Sequence, residues 1–110
     1  MDPSNQSEAG VLLDQLLESL LADFDYWFQR GDELLRRCPD DVMGKTERDM
    51  FAARLTEGKK AITATRSLVK ASSQPMAVSM SAMSPWHGLV TEVWGLAAKL
   101  AVYRRNQTLT

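Results

Sequence analysis

Residues 13–37 read LDQLLESLLADFDYWFQRGDELLRR, and the fold follows from how their apolar positions recur. Leu13, Leu16, Leu17, Leu20, Phe24, Trp27, Phe28, Leu34 and Leu35 return at intervals of three and four, which places them on one face of a helix. The pattern predicts a helix over about 8–37, preceded by a flexible N-terminus at 1–7. Gly31 lies on the apolar face, where it costs about 1 kcal/mol relative to alanine and marks a kink or a close approach. Arg36 and Arg37 suit the negative end of the helix dipole, and Pro39 stops the helix.

Downstream, CPDDVMGK (38–45) reads as a turn, and Thr46 with Asp49 three residues later resembles a capping box. A second helix over about 46–72 follows, with Met50, Phe51, Leu55, Ile62, Leu68 and Val69 on its apolar face and Ser72, Ser73, Gln74 and Pro75 at its end. MAVSMSAM (76–83) has neither period nor charge and reads as an ordered loop whose methionines fill gaps. Ser84 and Pro85 signal the start of a third helix over about 84–105, because serine caps free amides and proline at the first helical position loses no needed hydrogen bond. Residues 106–110 form a tail. The fold expected is all-α: one domain over 8–105, a long antiparallel helical hairpin plus a third, apolar helix, a three-helix bundle that either closes on itself or dimerises.

Charge supports the hairpin. Residues 1–33 carry eight acids against one arginine, and residues 34–75 carry nine bases against five acids. At 100° per residue, Asp14, Glu18, Asp25 and Asp32 form one stripe on the first helix, and Arg48, Lys59, Arg66 and Lys70 form one on the second. An antiparallel pair turning near residue 42 brings the stripes together as Asp14–Lys70, Glu18–Arg66 and Asp25–Lys59.

On the third helix, Trp86, Leu89, Val90, Val93, Trp94, Leu96, Leu100 and Tyr103 cover half the wheel. Gly88, Thr91, Gly95, Ala98 and Val102 make the other half small rather than charged, leaving Glu92 and Lys99 as nearly the only solvated positions. A helix with so little polar face is normally buried. Together with Trp86 and His87, these five residues are the candidate interface, occupied by a second copy or a partner protein if the chain does not cover it itself.

Composition narrows the function. The chain has 110 residues, 45% apolar and 25% charged, with a net charge of −1, so it carries no global field that draws in nucleic acid or an anionic membrane. The bases Arg48, Lys59, Lys60, Arg66 and Lys70 alternate with acids and lack interleaved aromatics, which argues against a nucleic-acid surface. Cys38 is the single cysteine, so no intrachain disulfide and no two-cysteine metal cluster forms; as a thiol before Pro39 and two acids it reads as a spectator. His87 is the single histidine and lacks a paired carboxylate or cysteine, so a structural role outweighs that of a proton relay or a tetrapyrrole ligand. No phosphate-binding glycine loop, metal spacing or nucleophile–base pair is present, so neither an enzyme nor a cofactor is expected. MDPSNQSEAG lacks the features of a signal or transit peptide, and the apolar run 86–103 contains His87, Glu92 and Lys99, so a cytoplasmic protein without a membrane span is expected.

Two segments carry a resemblance. ADFDYWF (22–28) and MSPWHGLVTEVW (83–94) are similar to sequences of a cyanobacterial family of small proteins, the domain of unknown function 2605 family, over about Leu12 to Leu100. The resemblance implies a cyanobacterial origin and, by association, a place in photosynthetic physiology, but brings no activity with it. The expectation is therefore a non-enzymatic adaptor or regulator that binds protein through the third helix. The alternative is a peripheral membrane- or pigment-associated factor of the photosynthetic apparatus, with Trp86, Trp94 and Tyr103 as interfacial aromatics.

Overall fold

The structure is a computed structural model that describes residues 3–72 and 80–108, with the side chains of 8–72 and 81–108. It contains three helices, α1 (Pro3–Arg36), α2 (Lys45–Ala71) and α3 (Met80–Thr108), and no strand among the described residues. α1 is central. α2 and α3 both pack along it and meet each other over a much shorter stretch.

Two glycines set the register. A Cβ on Gly31 of α1 would lie 2.9 Å from Val93 Cγ2 and 3.0 Å from Leu55 Cδ1, so all three helices converge there. The same happens at Gly58 of α2, where a Cβ would lie 2.9 Å from Phe28 and 3.2 Å from Leu89. Gly31 thus marks a close approach, not a kink. Around these two junctions Leu21, Phe28, Leu55, Ile62 and Val93 are completely buried, with Phe24, Phe51, Leu89, Leu96 and Leu100 almost so. Burying each such side chain contributes roughly 1.5–3 kcal/mol.

The pairs Gly31–Val93 and Phe24–Trp86 both lie 62 positions apart, so α3 runs parallel to α1 and antiparallel to α2. That offset also shears the bundle. α3 begins level with about residue 18 of α1 and ends about ten residues beyond Arg36. At 1.5 Å per residue α1 overhangs by roughly 22 Å at one end and α3 by roughly 15 Å at the other, which accounts for a long axis of 68 Å against widths of 26 and 20 Å.

Several sequence expectations are corrected. α1 begins at Pro3, so residues 3–7 are helical; Pro3 occupies the first helical position, whose amide needs no partner, and the polar residues after it carry no periodic signal. α2 begins at Lys45 after an extended Gly44 (φ −66°, ψ 161°) with no side-chain cap. Thr46 therefore lies inside the first turn, and Asp49 accepts a bond from Lys45 at 3.0 Å instead of closing a capping box. The turn is held by Arg48, which donates to the Cys38 carbonyl at 2.6 Å and to Asp40 at 2.5 Å. α3 begins four residues before Ser84, with Pro85 inside it. Met83, 4% exposed, is anchored in the core, and this anchor carries the helix upstream of the proline. Of the loop expected at 76–83, residues 80–83 are therefore helical and 76–79 lie outside the described residues. At the other end α3 continues through Thr108, whose hydroxyl donates to the Arg105 carbonyl at 2.8 Å, so most of the expected tail is helix.

The hairpin seam carries the expected Glu18–Arg66 pair, whereas Lys59 pairs with Asp32 and not with Asp25. Side chains lean toward the N-terminus of their own helix, so in an antiparallel pair Lys59 tilts toward the turn and Asp32 tilts toward Lys59. Asp25 instead accepts a bond from Gln29 at 2.8 Å. The Asp14–Lys70 pair does not form: Lys70 is exposed in the last turn of α2, and Asp14 Oδ1 is buried without a hydrogen-bond partner.

Candidate interaction surface

The seven candidate residues divide between two places. Trp86 and His87 belong to the α1–α3 seam, where their rings meet Phe24 edge-on at 5.6 Å and 4.9 Å between centroids. Trp86 is half-buried, while His87 is exposed on the outer edge of that contact, and its carbonyl accepts the Thr91 hydroxyl at 3.0 Å. Gly88, Thr91, Gly95, Ala98 and Val102 form a strip on the side of α3 that faces away from the core, and all five are exposed. A Cβ built on Gly88 or Gly95 meets nothing within 4 Å. Within one chain, then, the small half of α3 stays uncovered.

Two different borders flank the strip. On the α1 side, Trp94 stands edge-on to Trp27 at 5.7 Å, and Trp27 stands edge-on to Tyr26 at 5.1 Å, an aromatic ladder with Trp94 51% and Tyr26 60% exposed. On the α2 side, Arg54 grips the Glu92 carboxylate with both guanidinium nitrogens, Nη1 donating to Oε1 at 2.9 Å. That hydrogen bond holds the Arg54 guanidinium above its ordinary pKa. At the α3 C-terminal end, Val42, Ala98, Val102 and Tyr103 line an apolar depression of about 470 Å³ with Asp41, Lys99 and Asn106 at its rim.

The sequence pattern did not single out Arg54 and Glu92, because Glu92 was read as a solvated position and Arg54 lies on neither charge stripe. It also assigned Leu13 and Leu16 inward by their core-like spacing, whereas they are 45% and 61% exposed, beside the equally exposed Val11 and Leu12. Phe24 and Gly58 were legible in part, since both fall on their helices' apolar faces.

The remaining candidates take structural roles. Arg48, Lys59 and Arg66, three of the four bases in the stripe, are engaged in ion pairs, which argues further against a nucleic-acid contact. Hydrogen bonding to Glu18 raises the Arg66 pKa further. Cys38 is a free, buried thiol whose pKa burial pushes up, with Arg48 pulling it partly back and Asp40 and Glu47 adding to the rise. Among the described residues no three of His, Cys, Asp and Glu are grouped to hold a metal ion, and no helix is long and apolar enough to cross a membrane.

No curated protein and no solved structure shows significant similarity to this chain. A family does: residues 7–102, most of the chain and both segments that carry the resemblance, match the family described as Protein of unknown function (DUF2605), to which this three-helix chain belongs.

Proposed function

We propose that the chain is a non-enzymatic interaction protein, an adaptor or regulator that binds a protein partner through the outward strip of α3. One observation supports this reading above the others: Gly88, Thr91, Gly95, Ala98 and Val102 are all exposed along the outward side of α3, and a Cβ at Gly88 or Gly95 meets nothing within 4 Å. Small residues on an uncovered, largely apolar face let a second helix approach closely, and such faces mark association sites. The setting proposed with it, on the resemblance of the two segments, is a cyanobacterial cytoplasm.

Size-exclusion chromatography with light scattering on wild type and on Gly95→Leu tests the strip. Gly95 is exposed and a Cβ built on it meets nothing within 4 Å, so Gly95→Leu is expected to keep its helical circular dichroism. We expect the wild type to associate and the variant to lose at least tenfold in affinity. Association of equal strength in both overturns the reading.

A second reading, a factor at a membrane or pigment surface, draws on the exposed aromatics Tyr26 and Trp94. Flotation with anionic and zwitterionic liposomes separates the two, since an interaction protein stays at the bottom of the gradient.

A further inference from the structure

The two overhangs of the sheared bundle are opposite in charge. The described side chains of the α1 overhang include Glu8, Asp14 and Glu18 and no base, with Glu18 already paired to Arg66 of α2, around the exposed Val11, Leu12, Leu13 and Leu16. The α3 overhang includes Lys99, Arg104 and Arg105 and no acid of its own, around the depression lined by Val42, Ala98, Val102 and Tyr103, with Asp41 of the α1–α2 turn beside it. We propose that a second copy of this chain covers both, the two molecules lying side by side in opposite directions so that the acidic overhang of each rests on the basic overhang of the other. This rests on the reading of the α3 strip and names its partner.

Charge selects this arrangement among those two copies can adopt. Pairing α1 with α1 sets Glu8 and Asp14 against the same two acids, and pairing α3 with α3 sets Lys99, Arg104 and Arg105 against the same three bases. The crossed arrangement opposes unlike charges at both ends, and a two-fold axis makes the two seams identical and the assembly closed. Length agrees as well. With Pro3 level with the partner's Thr108, Leu13 falls beside the partner's Ala98 and Leu16 beside the partner's Gly95, large side chains against small ones. The strip and the α1 leucines, each unexplained within one chain, then account for each other.

Two experiments on the full chain test the arrangement. Arg104→Glu/Arg105→Glu and Glu8→Lys/Asp14→Lys each place like charges across both seams, so each alone should be monomeric, at least tenfold weaker in association than wild type, while an equimolar mixture should recover the dimer mass. Because Asp14 is partly buried, a second variant guards against misfolding: Ala9→Cys/Ala101→Cys in a Cys38→Ser background. Within one chain those positions stand roughly 45 Å apart, so oxidation can close a disulfide only between copies, and a covalent dimer is expected. A monomeric wild type overturns the proposal. A dimer that Gly95→Leu splits, but that neither cross-links nor responds to the charge exchange, overturns the crossed arrangement and leaves the strip standing. A cross-linked, charge-sensitive dimer indifferent to Gly95→Leu removes the strip and keeps the overhangs.

Discussion

At Gly31 an added methyl group would crowd Val93 and Leu55, and at Gly58 it would crowd Phe28 and Leu89, in each case at 2.9 Å from the nearest carbon. The four neighbours are buried and held on several sides, so they cannot yield without moving a helix. Gly31→Ala and Gly58→Ala are each expected to lose about 1–3 kcal/mol in urea unfolding. Gly95 is the opposite case: with open space around it, Gly95→Ala should gain roughly 0.5–1 kcal/mol through helix propensity, read at concentrations too low for association. Equal effects at buried and exposed glycines would contradict the packing described. Cys38 supports a different test. Its thiol ionises near 9.0 when unfolded and higher when folded, because burial disfavours the thiolate. The unfolded state therefore releases its proton first, and the contribution to stability is constant below about pH 9 and declines above it. Cys38→Ser should remove that part of the alkaline decline in melting temperature, and alkylation of the native thiol should be slow at neutral pH. Sequence alone identified Cys38 as inert and Gly31 as either kink or contact. Choosing between those needed the third helix in place.

The elements were legible to different degrees, and the reason differs for each. The α1–α2 hairpin followed from a three-four period and a proline-containing turn, both local signals. The start of α3 did not. Ser84–Pro85 has the form of a helix start, but Met83 is anchored in the core and extends the helix upstream. Ion-pair register lay between these cases: Asp25 and Asp32 are seven residues apart on one stripe, so a helical wheel cannot distinguish them, and only the lean of side chains in the assembled pair selects Asp32. That selection is testable. Lys59→Asp should be rescued by Asp32→Lys and not by Asp25→Lys, with a coupling of about 0.2–1 kcal/mol for such a partly exposed pair that shrinks as salt is raised. Rescue by position 25 would return the seam to the simpler register. The small half of α3 was visible from composition alone, glycine and alanine where charge is usual, and its residues are exposed in the folded chain.

For the whole molecule, the offset between α1 and α3 has a measurable outcome. Crossed copies overlay one another's overhangs, so the dimer should double in mass with little gain in length. Small-angle X-ray scattering should give it a maximum dimension near that of one chain, which is 68 Å along its axis, before side chains and hydration. End-to-end association would nearly double that figure. The same offset has an electrical consequence. Three helices running up, down and up leave one helix dipole uncancelled, positive at the α1 overhang and negative at the α3 overhang. The unpaired side chains of those two helices have the opposite sign there, Glu8 and Asp14 on α1 against Lys99, Arg104 and Arg105 on α3, and outweigh the half-charges of a helix terminus. Each molecule is thus a bar with an acidic and a basic pole despite a net charge of only −1. At physiological salt such poles are screened within about 8 Å, so they act only between bars already in contact, fixing which way round two neighbours settle while leaving how often they collide to diffusion.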